Sequence, residues 1–189
     1  MKRQSRFSIV VISLTLIVTC LFTPLTAYAQ RTPTTMYLPL ISLADACRMN
    51  QQEQQLADLI RTAPGQGRPF LRCNPILAAV AAAHARDMAT HHYTGSINPE
   101  GYGPNYRVRQ AGYALPAYYN TSATSNNIES NFAGYTSADA VWAAAVNNDQ
   151  LHGNGKFWAA QTELGIAYYN DPASPQSGYW VVITALPAL

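Results

Sequence analysis

One alanine-rich helix constrains the fold of this chain more than any other feature of its sequence. Asn74 is a typical N-cap residue, and Pro75 suits the first helical position because its φ is already fixed. The segment that follows, ILAAVAAAHARDMATHH, is rich in alanine, so neighbouring elements can approach its backbone closely. Its apolar face recurs every four residues: Ile76, Val80, His84 and Met88. The sequence therefore predicts a long helix packed tightly on its neighbours.

One further helix is predicted on each side of this long helix. An apolar stripe at helical spacing predicts a first helix over residues 45–61, which the segment APGQGRP then ends. A third helix, ADAVWAAAV, should begin after a cap at Thr136 or Ser137. The helices thus precede the segments that have strand character.

The rest of the chain predicts loops and strands. Residues 94–135 are rich in Gly, Pro, Tyr, Asn and Ser, so we expect loops and one short strand there. Two strands, TELGIAYYN and GYWVVITAL, close the chain as an antiparallel pair. The second is almost continuously apolar, which predicts a central strand covered on both faces. The predicted fold class is therefore α+β, with helices packed on a sheet.

The first 29 residues have the pattern of a secretory signal peptide. Three basic residues precede an apolar run over residues 7–22, and Ala27-Tyr28-Ala29 has the small-x-small pattern of a cleavage site. A retained anchor or a lipid-modified Cys20 are alternatives, but the run is short and Thr19 is not the small residue that lipid attachment favours. We expect a secreted, extracellular chain with no membrane span once the signal is removed. Residues 30–45 then form a Thr/Pro-rich N-terminal segment.

Net charge and cysteine content limit the partners and the cysteine chemistry that this chain can have. The signal carries three of the twelve basic residues and none of the ten acidic ones, so its removal leaves a net charge of −1. This argues against nucleic acid as a partner. Cys47 and Cys73 remain, and a lone pair in an exported protein predicts a disulfide. Metal ligation or redox chemistry would need further ligands or a C-x-x-C spacing, and neither is present.

Three of the four histidines cluster in the long helix and at its end. His84 and His91 are seven residues apart, which is about 10 Å along a helix, so they cannot share one metal ion. We expect His84 to line the core and to hydrogen-bond a neighbour. His91 and His92 mark the helix C-terminus, and His152 stands alone in an expected loop.

Six motifs follow one another along the chain: LRCNPILAAVAAAHARDMA, PEG, RVRQAGY, NNI, AAQTELGIAYY and YWVVITA. Together they resemble the CAP superfamily, which includes cysteine-rich secretory proteins, venom antigen proteins, plant pathogenesis-related proteins and bacterial SCP-like extracellular proteins. The resemblance covers most of residues 48–186 and implies a domain over residues 46–189. It implies a three-layer α-β-α sandwich with a mostly antiparallel central sheet.

Members of this family commonly have a cavity lined by two His and two Glu, able to hold zinc in some of them. Matching the motifs places Ser96 at the first His position and Asn126 at the first Glu position. The second His position falls on Asn147 or Asn148, and the second Glu position lies near Ala145. Ser and Asn are poor zinc ligands and cannot act as general bases near neutral pH. We therefore expect no metal.

Besides a structural role in assembly, carried by the Tyr/Asn loop and the apolar residues 37–41, two functions remain open from the sequence. The first is a non-catalytic binding module for a lipid, a glycan or an extracellular protein, and its tyrosine-rich middle segment has the composition of a binding surface. The second is a zinc-dependent hydrolase with a rebuilt site, whose rescue ligands would be His152, Glu129 and His92. On a regular strand the side chains at positions 126 and 129 point to opposite faces, so Glu129 would need a turn or a bulge. We favour the binding module.

Overall fold

The computed structural model describes residues 47–64, 66–68, 70–147 and 161–188, which lie within one compact unit, Pro39–Leu189. The expected signal peptide, the Thr/Pro-rich segment and His152 lie outside the described residues. In chain order the elements are α1 (Gln51–Thr62), β1 (Arg72–Cys73), α2 (Pro75–His91), α3 (Pro104–Gln110), β2 (Glu129–Ala133), α4 (Ala138–Asn147), β3 (Glu163–Asn170) and β4 (Gly178–Ala185). None of the helices described is both long and apolar enough to cross a membrane.

The four strands form one sheet in the order β1-β3-β4-β2. Strand β4 is antiparallel to both of its neighbours, and every one of its residues is buried. This confirms the predicted terminal hairpin and its central second strand. Strand β1 pairs in parallel with β3 through Arg72 and Glu163, so the sheet is mixed rather than purely antiparallel.

Helices cover both faces of the sheet, as the three-layer prediction requires. Alternate residues of β4 belong to two separate hydrophobic clusters because successive strand side chains point to opposite faces. Val181 and Ile183 pack with α2, whereas Trp180 and Val182 pack with α1 and α4. The fold is therefore an α-β-α sandwich whose core lies on both sides of β4.

Close packing of α2 on the sheet depends on one glycine. A Cβ atom at Gly165 in β3 would lie 2.3 Å from the backbone carbon of Leu77 in α2. Such a contact cannot be relieved by a rotamer change, since the obstructing atom belongs to the helix backbone. Helix α2 begins at the predicted cap, where the Asn74 side chain accepts hydrogen bonds from the backbone N–H groups of Ile76 and Leu77.

The predicted start of the first helix was wrong. Helix α1 begins at Gln51 because Asn50 and Glu53 form a capping box, in which each side chain accepts from the backbone N–H of the other. The residues just before it join the sheet through the disulfide between Cys47 and Cys73, which confirms the predicted pairing. The Cα atoms of the two cysteines are 6.2 Å apart.

The middle of the chain contains a helix that the prediction of loops missed. Helix α3 begins at Pro104, in the first helical position after Gly103, which is a recognisable start signal. The loop that follows α3 is held against it, because the side chain of Asn105 bonds Asn120 and Asn127. The expected short strand is β2, which starts at Glu129.

Candidate functional site

The candidate site lies where the C-terminal half of α2, the start of α3 and the start of β2 meet. Helix α2 ends at His91, and its C-cap His92 has a positive φ of 57° that lets the chain reverse direction. The following residues carry Ser96 back towards the sheet. Helix α3 contributes Arg107, and β2 contributes Glu129. Three separate elements must therefore pack before the site exists.

Asn126 organises the start of β2. Its Oδ1 accepts hydrogen bonds from the backbone N–H groups of Ile128 and Glu129, at 3.2 and 2.9 Å. Its Nδ2 donates to the backbone carbonyl of Glu129 at 3.0 Å. This is a local turn of the kind that Asn side chains favour. The turn brings position 126 beside position 129, which a regular strand would not do.

Ser96 is held by two amide side chains. The Nδ2 atoms of Asn126 and Asn131 both donate to Ser96 Oγ, at 2.8 and 2.9 Å. A hydroxyl can accept two hydrogen bonds and donate one, so the proton of Ser96 remains available. The structure thus brings together Ser96 and Asn126, the two positions where the family resemblance implies a His and a Glu.

The negative charge of Glu129 is balanced by an ion pair with Arg107. Arg107 Nη2 donates to Glu129 Oε2 at 2.6 Å, and the carboxylate side chain is 0% exposed. Arg107 Nη1 donates to the backbone carbonyls of Ser96 and Tyr102, at 2.7 and 2.8 Å. One guanidinium therefore fixes both the buried acid and the backbone at Ser96. The second carboxylate oxygen, Oε1, has no hydrogen-bond partner in the described part of the chain.

His84 lines the core and hydrogen-bonds neighbours, as the sequence predicted. Its Nε2 lies 2.9 Å from the carbonyl of Gly95 and 3.5 Å from Glu129 Oε1. A carbonyl can only accept, so Nε2 carries a proton. Burial lowers the pKa of His84, and the nearby carboxylate of Glu129 opposes that shift.

A chain of polar groups continues from His84 to the surface. Tyr93 Oη lies 3.2 Å from His84 Nδ1 and donates to Asp87 Oδ2 at 2.5 Å. Asp87 Oδ1 lies 2.7 Å from Nδ1 of His91, whose side chain is half exposed. Burial and the hydrogen bond to Asp87 raise the pKa of Tyr93. Tyr93 therefore keeps its proton and bridges the buried and exposed groups.

The other proposed site residues lie elsewhere or are not described. His92 is exposed at the end of α2, and among the described residues it makes no contact with Glu129. Asn147 is the last residue of α4, and the structure describes only its backbone. His152 lies outside the described residues. Of the rescue ligands within the described residues, Glu129 lies beside Asn126, which hydrogen-bonds its backbone N–H and carbonyl.

The described side chains do not fit a zinc ion. Within residues 47–147 and 161–188, apart from the two single-residue gaps, no three His, Cys, Asp or Glu side chains converge around a metal position. Asn126 uses its oxygen as a backbone cap and its nitrogen on Ser96, so neither atom is free to ligate. Glu129 is bound to Arg107.

Sequence reasoning missed several members of this site. Arg107 stands in the quoted motif RVRQAGY, yet nothing local marks its partner 22 residues away. Asn131 and Glu129 both lie on β2, and their spacing of two places them on one face of the strand. Asp87 and His91 are four residues apart on α2, so helical spacing could have paired them, whereas Tyr93 could be placed beside His84 only by knowing how the chain turns after α2.

Comparison with family models identifies the family of this chain. The family model of the cysteine-rich secretory protein family, CAP, matches residues 46–184, which is well over half of the chain. The chain therefore belongs to the CAP family. No curated protein matches the sequence significantly.

Two solved structures resemble the fold at low sequence identity. An outer surface protein from Borrelia burgdorferi is 14% identical, with a TM-score of 0.49 over 72% of this chain and 90% of that one. An extracellular protein containing an SCP domain, from Bacillus anthracis, is 19% identical, with a TM-score of 0.48. That match covers 71% of this chain and 40% of the Bacillus protein, so this chain spans less than half of its length.

Proposed function

We propose that this protein is an extracellular, non-catalytic binding module whose family cavity has lost its metal-binding side chains. The disulfide between Cys47 and Cys73 supports an oxidising location, and the N-terminal leader pattern supports export. Membership of a family named for secretory proteins agrees with both observations.

The observation that carries the proposal is the direct hydrogen bond between Asn126 and Ser96. These residues stand where the family resemblance implies an acid and an imidazole. Instead of facing a shared ligand, the two neutral side chains bind each other and the backbone of β2. Their hydrogen-bonding capacity is largely used to hold the site together, which suits binding better than catalysis.

The arrangement also lacks an activated nucleophile. Ser96 Oγ receives two amide donors, and an amide NH₂ group cannot accept a proton. A serine nucleophile needs a base within hydrogen-bond reach. Glu129 is paired with Arg107, and His84 Nε2 donates its proton to the carbonyl of Gly95. Neither group hydrogen-bonds Ser96.

The ligand that these groups suit is a neutral molecule that carries hydroxyls, of which a glycan is the best match. The Ser96 proton is a hydrogen-bond donor without a charge. The rings of Tyr102 and Tyr106 stack at a centroid distance of 4.2 Å, and Tyr102 is partly exposed. Arg107 ties the Tyr102 backbone to that of Ser96, so the stacked pair flanks the site. Aromatic faces beside neutral polar groups favour sugar rings over anions.

A calorimetric zinc titration tests the loss of the metal site. We expect the oxidised protein to bind no zinc in the micromolar range, and the double variant Ser96→His/Asn126→Glu to gain binding. Micromolar binding by the wild type that disappears in His152→Ala would overturn the proposal. It would favour instead the alternative, a zinc-dependent hydrolase with a rebuilt His/Glu site.

A glycan array tests the ligand class. We expect neutral glycans bound by the wild type to be lost in Ser96→Ala and retained in Ser130→Ala. Ser130 is a matched control because it lies on the same strand as Asn131 but on the opposite face. Equal glycan signals from both variants would refute the role of Ser96, whatever the zinc titration shows.

A further inference from the structure

We propose a second ligand site, an anion-binding cleft along the β1 edge of the sheet. The cleft has a volume of about 230 Å³ and shares no residue with the Ser96 site. Its lining residues are Arg61, Gln66, Arg68, Phe70, Leu71 and Arg72. Three of these six side chains are guanidinium groups, and no carboxylate is among them. A concave surface with this composition attracts anions.

Two of the arginines are held in place by neutral groups. Arg61 Nε donates to the carbonyl of Leu71 at 3.1 Å, and Arg68 Nη1 donates to the carbonyl of Gln161 at 2.9 Å. Arg68 Nε also donates to Gln66 Oε1 at 2.7 Å. Neutral carbonyl and amide oxygens thus help to orient both guanidinium groups. A preorganised donor loses less freedom on binding an anion than a mobile one does.

Burial makes Arg68 a stronger anion binder. Its partial removal from water lowers its pKa to about 10, so it remains charged at neutral pH. A desolvated charge gains more from an incoming anion than a hydrated one, because the local dielectric is lower. Asp58 accepts from Arg61 Nη1 at 3.1 Å and compensates part of the local charge. That carboxylate is mostly exposed, so its influence on the cleft is screened.

Arg72 is the group that is open to a ligand. Among the described residues its guanidinium forms no hydrogen bond and no ion pair, and it lies 5.5 Å from the centroid of the Phe70 ring. Its cross-strand neighbour Glu163 accepts a hydrogen bond from Asn74 instead. Phe70 is itself 63% exposed, so its ring is accessible to a ligand.

This combination selects a particular class of ligand. A guanidinium binds the oxygens of a phosphate, sulfate or carboxylate group through paired hydrogen bonds. The exposed ring of Phe70 adds an apolar surface beside the charge. The structure therefore assigns to this cleft a small molecule in which one oxyanion group is carried on a ring.

Binding of three probes to the purified, oxidised protein tests the assignment. Phenyl phosphate carries both a ring and an anionic group. Inorganic phosphate carries the anion without a ring, and benzyl alcohol carries a ring without an anion. We expect phenyl phosphate to bind most tightly, inorganic phosphate less tightly and benzyl alcohol not at all. High salt should weaken binding of both phosphates.

Matched variants locate the binding. Arg72→Gln should weaken phenyl phosphate roughly tenfold, as for loss of a charge-assisted hydrogen bond. Phe70→Ala should weaken phenyl phosphate but leave inorganic phosphate unchanged. Arg86→Gln is the control, because Arg86 lies over the ring of Tyr169 at a similar 5.6 Å but outside the cleft. Equal losses in Arg72→Gln and Arg86→Gln, or no binding of phenyl phosphate, would overturn the proposal.

Discussion

Removing Arg107 should destabilise the fold far more than removing an ordinary surface arginine. Its Nη2 lies 2.6 Å from a carboxylate oxygen of Glu129, whose side chain is 0% exposed, while that of Arg107 is 13% exposed. Breaking a buried pair from one side leaves a charge without a partner and costs about 3–5 kcal/mol. The two carbonyl bonds that Arg107 also makes are worth about 1 kcal/mol each. We therefore expect Arg107→Met to lower the free energy of unfolding by at least about 3 kcal/mol.

Urea unfolding followed by tryptophan fluorescence measures this loss. Arg109→Met is the matched control, because Arg109 lies on the same helix and donates to two backbone carbonyls but forms no ion pair among the described residues. It should cost about 2 kcal/mol or less. Adding Glu129→Gln to Arg107→Met should recover part of the loss, since no buried charge remains. A cost for Arg107→Met no greater than that for Arg109→Met would refute the buried-pair reasoning.

Two other predictions concern packing and pH. Gly165→Ala should destabilise by about 1–3 kcal/mol or more, because its Cβ would meet the backbone of α2 at 2.3 Å, whereas Gly67→Ala faces open space and should be nearly neutral in the same urea assay. Burial lowers the pKa of His84, although the carboxylate of Glu129 opposes the shift. As pH falls below about 6.5, the unfolded chain therefore binds a proton at this residue more readily than the folded chain does, and the free energy of unfolding decreases. His84→Gln should therefore flatten the decline in unfolding free energy between about pH 7 and pH 5.5, and the exposed His92→Gln should not; equal slopes would contradict the assignment.

The elements that could be predicted from the sequence are those specified by neighbouring residues. The start of α2 depends on Asn74 and Pro75, which are adjacent in the chain. Strand β4 could be predicted because every position in it is buried, so its apolar run needs no partner to be recognised. The predicted start of α1 was wrong because it was taken from the apolar residues, whereas a capping box consists of polar residues. Asn50 and Glu53 carry that signal instead.

The candidate site was only partly predictable, because its residues come from segments that are distant in the sequence. Positions 96 and 126 could be paired because the family resemblance supplies their relationship. The ion pair between Arg107 and Glu129 joins α3 to β2, and α3 itself was not predicted. The sequence does not show which carboxylates are buried. The cost of burying the charge is compensated by a partner that is distant in sequence and that only the fold brings near. The same holds for the groups that link His84 to the surface.

An amide at position 126, where the family resemblance implies an acid, holds the site together through its own hydrogen bonds. An amide both donates and accepts, so Asn126 can cap the N–H groups of β2 while donating to Ser96 Oγ and to the Glu129 carbonyl. A carboxylate could keep the cap but could not donate, and it would face the carbonyl oxygen of Glu129 at close range. Asn126→Glu alone would therefore lose the hydrogen bond to the Glu129 carbonyl and add repulsion there, and it could keep contact with Ser96 only by accepting the serine proton. Ser96 and Asn126 thus constrain each other, which is why recovery of metal binding should require both substitutions together.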